Sequence, residues 1–115
     1  MKPLYTYTRD LQPIWGGDSL PDLSFYVEGE ESGPIIPVGV CAQILNRFGT
    51  QVYEWEASIE HDGLVLLDKL YDTSMLRVGK YKYTITYILS DGRRKTYFDG
   101  AITILQRIPL CAKKY

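Results

Sequence analysis

Apolar and polar residues alternate with a period of two along most of this chain, and that alternation constrains the fold most strongly. The clearest run covers residues 79–89, where five aromatic or aliphatic residues occupy every second position. Because successive side chains of a β-strand point to opposite faces, these residues share one face of a strand. Gly, Pro, Asp and Asn interrupt such runs at short intervals, so the pattern predicts short strands joined by turns.

The predicted fold class is all-β. Roughly seven antiparallel strands in a chain of this length are typical of an immunoglobulin-like β-sandwich. At most one short helical turn is expected, near residues 72–77, where Asp72 and Ser74 resemble helix-capping residues. The pair Asp91-Gly92 predicts a tight hairpin, and Asp99-Gly100 predicts a bulge or kink in the strand that follows it.

The length of 115 residues suits one domain and is too short for two. Pro13 cannot donate to a strand ladder, so residues 1–14 are predicted to form an N-terminal arm or an edge strand. The β-sandwich domain is expected over residues 15–106. Residues 107–115 are predicted to form a C-terminal tail.

Tyrosine is unusually frequent, with ten residues against two tryptophans and three phenylalanines. The spacing Gly79-Lys80-Tyr81-Lys82-Tyr83 matches a tyrosine corner with Tyr81 in the corner position, although Tyr81 is also interpretable as an ordinary core aromatic. The alternation assigns six residues to the structural core: Phe25, Trp55, Tyr81, Tyr83, Ile85 and Tyr87.

Catalytic and metal-binding residues are scarce. His61 is the single histidine and falls in a polar turn sequence, while Cys41 and Cys111 lie far apart and form no CxxC pair. We therefore predict no catalytic residue, no metal site and no cofactor. The chain is predicted not to be an enzyme.

The residues Gly17-Asp18-Ser19-Leu20 spell the nucleophile block of the GDSL esterases and lipases. In that family an Asp-x-x-His pair near the C-terminus supplies the base that activates the serine. No such pair follows Ser19, and the strand pattern does not suit an α/β enzyme. A GDSL-like hydrolase is thus an alternative that the sequence argues against.

Charge and hydropathy limit the possible partners. A net charge of −1 argues against a nucleic-acid surface or a polybasic membrane surface. No apolar run approaches the roughly 20 residues of a membrane-spanning helix. The first residues lack the apolar stretch of a signal peptide, so we expect synthesis and retention in a cytoplasm.

The order of the motifs is more specific than any one of them. Gly17-Asp18-Ser19-Leu20 precedes a strand, residues 79–83 read Gly-x-Tyr-x-Tyr, and Asp91-Gly92-Arg93 precedes a threonine-bearing strand. Over residues 15–105 this order resembles the N-terminal domain of tailed-phage baseplate upper proteins and related immunoglobulin-like virion modules. One departure is that such domains usually begin a longer protein.

The resemblance implies a non-enzymatic phage virion structural protein, made in the host cytoplasm and located in the virion. It would act as an assembly, adaptor or decoration module that docks on capsid, neck, tail or baseplate proteins. Several symmetry-related copies are expected in the particle, so a homo-oligomer is predicted. Neither nucleic acid nor membrane is expected as a partner.

Exposed tyrosines suit protein interfaces because they bury much area at little entropic cost. The candidate interface residues are Tyr5, Tyr7, Trp15, Tyr26 and Tyr97. A different hypothesis is a carbohydrate- or host-surface-binding module, in which Trp15, Tyr26 and the acidic loop 28–31 form the binding patch.

Overall fold

The computed structural model describes residues 6–29, 33–70 and 73–106, and its regular structure within these ranges consists of strands. The predicted all-β sandwich is confirmed. In chain order the strands are β1 (Tyr7–Thr8), β2 (Ile14–Trp15), β3 (Ser24–Phe25), β4 (Glu28–Gly29), β5 (Gly33–Pro34), β6 (Gly39–Leu45), β7 (Gln51–Trp55), β8 (Ala57–Ile59), β9 (Val65–Leu67), β10 (Gly79–Ile88) and β11 (Arg94–Leu105).

The larger sheet has six strands in the order β1-β11-β10-β6-β7, with β2 also paired to β11. Its centre is the long antiparallel hairpin of β10 and β11. The hairpin turn contains Gly92 at a φ of 87°, a left-handed conformation that glycine adopts without steric penalty. At one edge, β1 and β2 pair with β11 in the parallel direction.

The smaller sheet has the order β3-β9-β8, and β4 and β5 form a separate short hairpin. A single intervening residue, Glu56, separates β7 of the larger sheet from β8 of the smaller one. The core includes side chains from both sheets. Its fully buried members include Ala42, Ile44, Val65, Tyr83, Ile85, Tyr87 and Ile102.

The segment before β10 contains a tight turn, with the amide of Leu76 donating to the carbonyl of Thr73 at 2.9 Å. This turn lies where the sequence allowed at most one short helical turn. Residues 71–72, at the start of that stretch, lie outside the described residues.

The bulge in β11 lies at Tyr97. The pairing with β10 passes from Ile85–Phe98 to Thr86–Thr96, which leaves Tyr97 as the extra residue. The prediction of a bulge or kink at Asp99-Gly100 is therefore wrong. Gly100 is needed because residues 6–16 pass over it, and a Cβ at that position would collide with the carbonyl of Arg9.

Residues 6–16 run alongside β11 and include β1 and β2, and we call this segment the N-terminal edge strand. The amide of Arg9 donates to the carbonyl of Asp99 at 2.8 Å. The amide of Leu11 donates to the carbonyl of Ala101 at 3.0 Å. The amide of Ala101 in turn donates to Oδ1 of Asp10 at 2.9 Å. Residues 1–5 of the predicted arm, with Tyr5, and the predicted tail 107–115 lie outside the described residues.

Candidate functional site

An open groove of about 390 Å³ lies beside the N-terminal edge strand, and we call it the aromatic groove. Three of the predicted interface residues line it together, namely Tyr7, Tyr26 and Tyr97. The side chains of Tyr7 and Tyr26 are 65% and 43% exposed. The remaining lining residues are Val27, Glu28 and Phe98.

The bulge in β11 explains why two consecutive residues line one groove. In a regular strand Tyr97 and Phe98 would point to opposite faces. The extra residue at Tyr97 breaks this alternation, since bulges change the direction of nearby side chains. The parallel pairing of Tyr7 with Phe98 then places their ring centroids 6.2 Å apart in an edge-to-face arrangement.

The rings of the aromatic groove continue into the core. Phe98 contacts Phe25 at a centroid distance of 4.7 Å, and Tyr97 contacts Tyr87 at 5.1 Å. Tyr87 is fully buried, and its hydroxyl has no hydrogen-bond partner among the described residues. Burial, with a smaller effect of Tyr97, raises the pKa of Tyr87 to about 12.

The aromatic groove is electrostatically negative. The hydroxyl of Tyr26 donates to a carboxylate oxygen of Glu28 at 3.2 Å. Partial desolvation, this hydrogen bond, and the negative charges of Glu28 and Asp62 raise the pKa of Tyr26 above its usual value. No lysine or arginine belongs to the described residues that line the groove.

Of the other predicted interface residues, Trp15 does not line this groove, and Tyr5 lies outside the described residues. Trp15 is 45% exposed but pairs with Leu105, seven residues beyond Phe98 on β11. At about 3.3 Å per residue, that separation is about 23 Å along the strand. In the sugar-binding patch predicted from Trp15, Tyr26 and the acidic loop 28–31, Trp15 therefore lies apart from Tyr26 and Glu28, which are hydrogen-bonded to each other. Residues 30–31 of that loop lie outside the described residues.

Five of the six predicted core residues are buried: Phe25, Trp55, Tyr83, Ile85 and Tyr87. Tyr81 is half-buried at the end of the same face, and its hydroxyl donates to the carbonyl of Arg77 at 2.8 Å. That bond to the backbone a few residues upstream is the defining contact of a tyrosine corner. The hydroxyl of Tyr83 donates to the carbonyl of Arg9 and so holds the edge strand to the core.

A second groove of about 810 Å³, which we call the basic groove, lies between the β6–β7 hairpin and the segment that leads into β10. Its cationic lining residues are Arg47, Arg77 and Lys80. Its exposed apolar residues are Phe48, Val52, Met75 and Val78. The sequence reasoning missed this groove because three of these four apolar residues lie in turns and connections, where period-two alternation carries no information.

The Gly-Asp-Ser-Leu residues have a structural role. The amide of Gly17 donates to Oγ1 of Thr73 at 3.1 Å, and that hydroxyl donates to the carbonyl of Asp18 at 2.6 Å. Ser19 lies near the Leu20–Leu70 end of the small sheet, whereas His61 follows β8 at its opposite end. The geometry thus keeps serine and histidine apart.

Within residues 6–29, 33–70 and 73–106 there is no group of three or more His, Cys, Asp or Glu side chains that could hold a metal ion. His61 is exposed and Cys41 is half-buried on β6. The same residues contain no helix long and apolar enough to cross a membrane.

The fold is similar to that of known protein structures. No family model matches the chain, and no curated protein matches it. The structure resembles that of CopC from Methylosinus trichosporium OB3b, with a TM-score of 0.52 and 20% sequence identity. The match covers 86% of this chain and 89% of CopC. At this identity the similarity shows a shared fold.

The resemblance to phage baseplate upper proteins is wrong, because the structural similarity is to CopC and no family model matches the chain. The predicted role as a virion structural module is overturned by the same finding. The predicted virion location is wrong as well.

Proposed function

We propose that this chain is a non-enzymatic binding protein whose aromatic groove takes an organic cation of the alkylammonium type. One observation carries the proposal. Four aromatic rings and a single carboxylate line the groove, and no cationic side chain is among its described lining residues.

The physical basis is the charge distribution of aromatic rings. A ring face carries partial negative charge, and a cation within about 6 Å of it gains about 0.5–2 kcal/mol, depending on desolvation. Tyr7, Tyr26 and Tyr97 offer such rings, and Glu28 adds a full negative charge beside them. The volume of about 390 Å³ lies within the range of small-molecule sites.

Copper is the ligand that the similarity to CopC suggests, and the described residues do not fit it. A copper site requires several imidazole, thiolate or thioether ligands in one place. The chain has one histidine, His61, and that side chain is exposed in a turn. Because no cluster of donors lies around it among the described residues, we derive no copper chemistry for this chain.

The proposal is tested by titrating the protein with choline and, separately, with 3,3-dimethylbutan-1-ol, which has the same shape without the charge. Choline should bind more tightly by roughly tenfold, because only the cation gains from the rings and from Glu28. Amide chemical shifts near Tyr26 and Phe98 should report the binding. Equal affinity for both probes, or no choline binding, would overturn the proposal.

Two variants sharpen this test. Tyr26→Leu removes a ring and Glu28→Gln removes the charge, and each should weaken choline binding about fivefold. Trp15→Leu is the matched control, since Trp15 is about as exposed as Tyr26 but lies near the far end of β11. A loss in Trp15→Leu equal to that in Tyr26→Leu would count against the groove as the site.

A further inference from the structure

We propose that the basic groove is a docking site for an acidic polypeptide segment that inserts an apolar side chain. The proposal concerns a surface separate from the aromatic groove and goes beyond the function proposed above. The two grooves lie toward opposite ends of β10, since the basic groove includes Gly79 and Lys80 while Tyr97 and Phe98 lie beside Ile85 and Thr86.

The apolar part of the groove is exposed to an unusual degree. Phe48 is 76% exposed, Val78 62%, Met75 51% and Val52 39%. Single exposed apolar residues are ordinary, but four that line one cleft form a continuous patch of the kind that marks an interaction site. These residues come from both walls, with Phe48 and Val52 on the hairpin and Met75 and Val78 on the opposite segment.

The charge of the groove selects the partner. Arg47, Arg77 and Lys80 line it, and no Asp or Glu is among its described lining residues. The ion pairs found among the described residues engage other cations, namely Lys69, Lys82 and Arg93. A partner with carboxylates would complement these three charges and would gain specificity and association rate from them.

The shape of the groove favours a polypeptide over a lipid surface. The apolar residues line a cleft of about 810 Å³, which can enclose the side chain of an inserted segment. The guanidinium carbon of Arg47 lies 4.8 Å from the ring centroid of Phe48, which keeps charge and ring together on one wall. The hydroxyl of Tyr81 bonds the carbonyl of Arg77 and fixes the other wall. A cleft with both features suits a segment of alternating acidic and apolar residues.

The direct test is fluorescence anisotropy with a labelled peptide of alternating glutamate and leucine, and with a second peptide in which glutamine replaces glutamate. The acidic peptide should bind, and its affinity should fall with added salt, while the neutral peptide should bind at least roughly tenfold more weakly. No binding of the acidic peptide, or equal binding of both, would overturn the proposal.

Variants locate the site. Lys80→Glu and Arg77→Glu should each lower the affinity for the acidic peptide by roughly fivefold or more. Arg94→Glu changes the net charge equally and affects an exposed arginine outside the lining residues of this groove, so it is the matched control. Equal losses in all three variants would mean a nonspecific charge effect and would overturn the proposal. Phe48→Ser should weaken binding while leaving circular dichroism and thermal unfolding unchanged.

Two further measurements test whether the basic groove binds a different partner. Binding to vesicles of phosphatidylserine and phosphatidylcholine without binding to the peptide would assign the groove to a membrane surface and contradict the proposal. Self-association seen by light scattering and abolished by Lys80→Glu would assign the groove to a second copy of this chain. The proposal requires that Lys80→Glu change peptide binding and leave the molar mass unaltered.

Discussion

The aromatic groove and the basic groove both expose apolar side chains, but they are attached to the fold in different ways. In the aromatic groove, Phe98 contacts Phe25 and Tyr97 contacts Tyr87, so its rings belong to the core packing. In the basic groove, Phe48 and Val78 lie in a turn and a connection and are mostly exposed. The rings of the first surface should therefore contribute to both stability and binding, whereas Phe48 and Val78 of the second should contribute to binding alone.

The largest expected difference between the two grooves is produced by a substitution at Gly100. Gly100→Ala should lower the free energy of unfolding by about 3 kcal/mol or more, because the new Cβ meets the backbone of Arg9. The edge strand must then lift, and Tyr7 leaves the aromatic groove. Urea unfolding and choline titration measure the two effects.

The matched control for that change is Gly39→Ala, whose Cβ would meet the side chain of Ile88 at an ordinary 3.4 Å. Peptide binding at the basic groove should survive both substitutions. If Gly100→Ala were no more destabilising than Gly39→Ala, the edge strand could not lie across Gly100.

The next largest effect compares two phenylalanines directly. Phe98→Ala should cost about 3 kcal/mol of unfolding free energy, because its ring packs against Phe25, Tyr87 and Tyr7. Phe48→Ala should stay within about 0.5 kcal/mol, since that side chain is 76% exposed. Chemical denaturation measures the loss of unfolding free energy in both variants. Similar losses would contradict the distinction between the two grooves.

Alkaline pH should weaken the core beneath the aromatic groove. Tyr87 has a pKa of about 12 in the folded protein, above the ordinary value of 10.0. Between these values the unfolded chain loses the phenolic proton and the folded chain retains it, so stability falls as pH rises. The loss should be about 2 kcal/mol.

Tyr87→Phe tests whether Tyr87 causes this loss of stability at alkaline pH. It should reduce the slope of stability against pH above about pH 10, and it should be neutral or stabilising below that pH because the hydroxyl has no partner among the described residues. A residual slope is expected from Tyr83, whose pKa is also raised, chiefly by burial. An unchanged slope would argue against Tyr87 as a source.

The smallest effect is expected at the tyrosine corner of the basic groove. Tyr81→Phe removes the hydrogen bond to Arg77 and should cost about 1 kcal/mol. It should also weaken binding of the acidic peptide, because the wall of the basic groove that carries Arg77 loses its support. Tyr53→Phe is the control, since its hydroxyl makes no hydrogen bond among the described residues. Equal losses in both would mean that the corner bond has no particular role.

The fold class was predictable because alternation records burial directly. Tyr83, Ile85 and Tyr87 occupy every second position of β10, and all three are fully buried. Gly100 was harder to interpret, because glycine in a strand indicates either a bulge or a close backbone approach, and only the folded chain distinguishes them. The bulge is at Tyr97, where no glycine marks it.

The candidate sites were predictable only in part. Tyr7, Tyr26 and Tyr97 were selected one by one as exposed aromatics, and their assembly depends on the parallel register of β1 and on the bulge. The phage resemblance failed because its motifs encode turns and the start of one strand, features that unrelated β proteins share. Gly17, for example, has a φ of 94° and its amide bonds Thr73, so the Gly-Asp-Ser-Leu residues reflect local backbone needs.

The parallel pairing of the N-terminal edge strand also determines when the aromatic groove can form during protein synthesis. Oγ1 of Thr8 donates to Oδ1 of Asp99, a residue 91 positions later in the chain. At about 5–20 residues per second, a ribosome needs roughly 5–20 s to reach that partner. Tyr7 therefore emerges long before Phe98, its pairing partner in β11. The aromatic groove cannot assemble until β11 has left the ribosome, so its ligand can bind only after that point of synthesis.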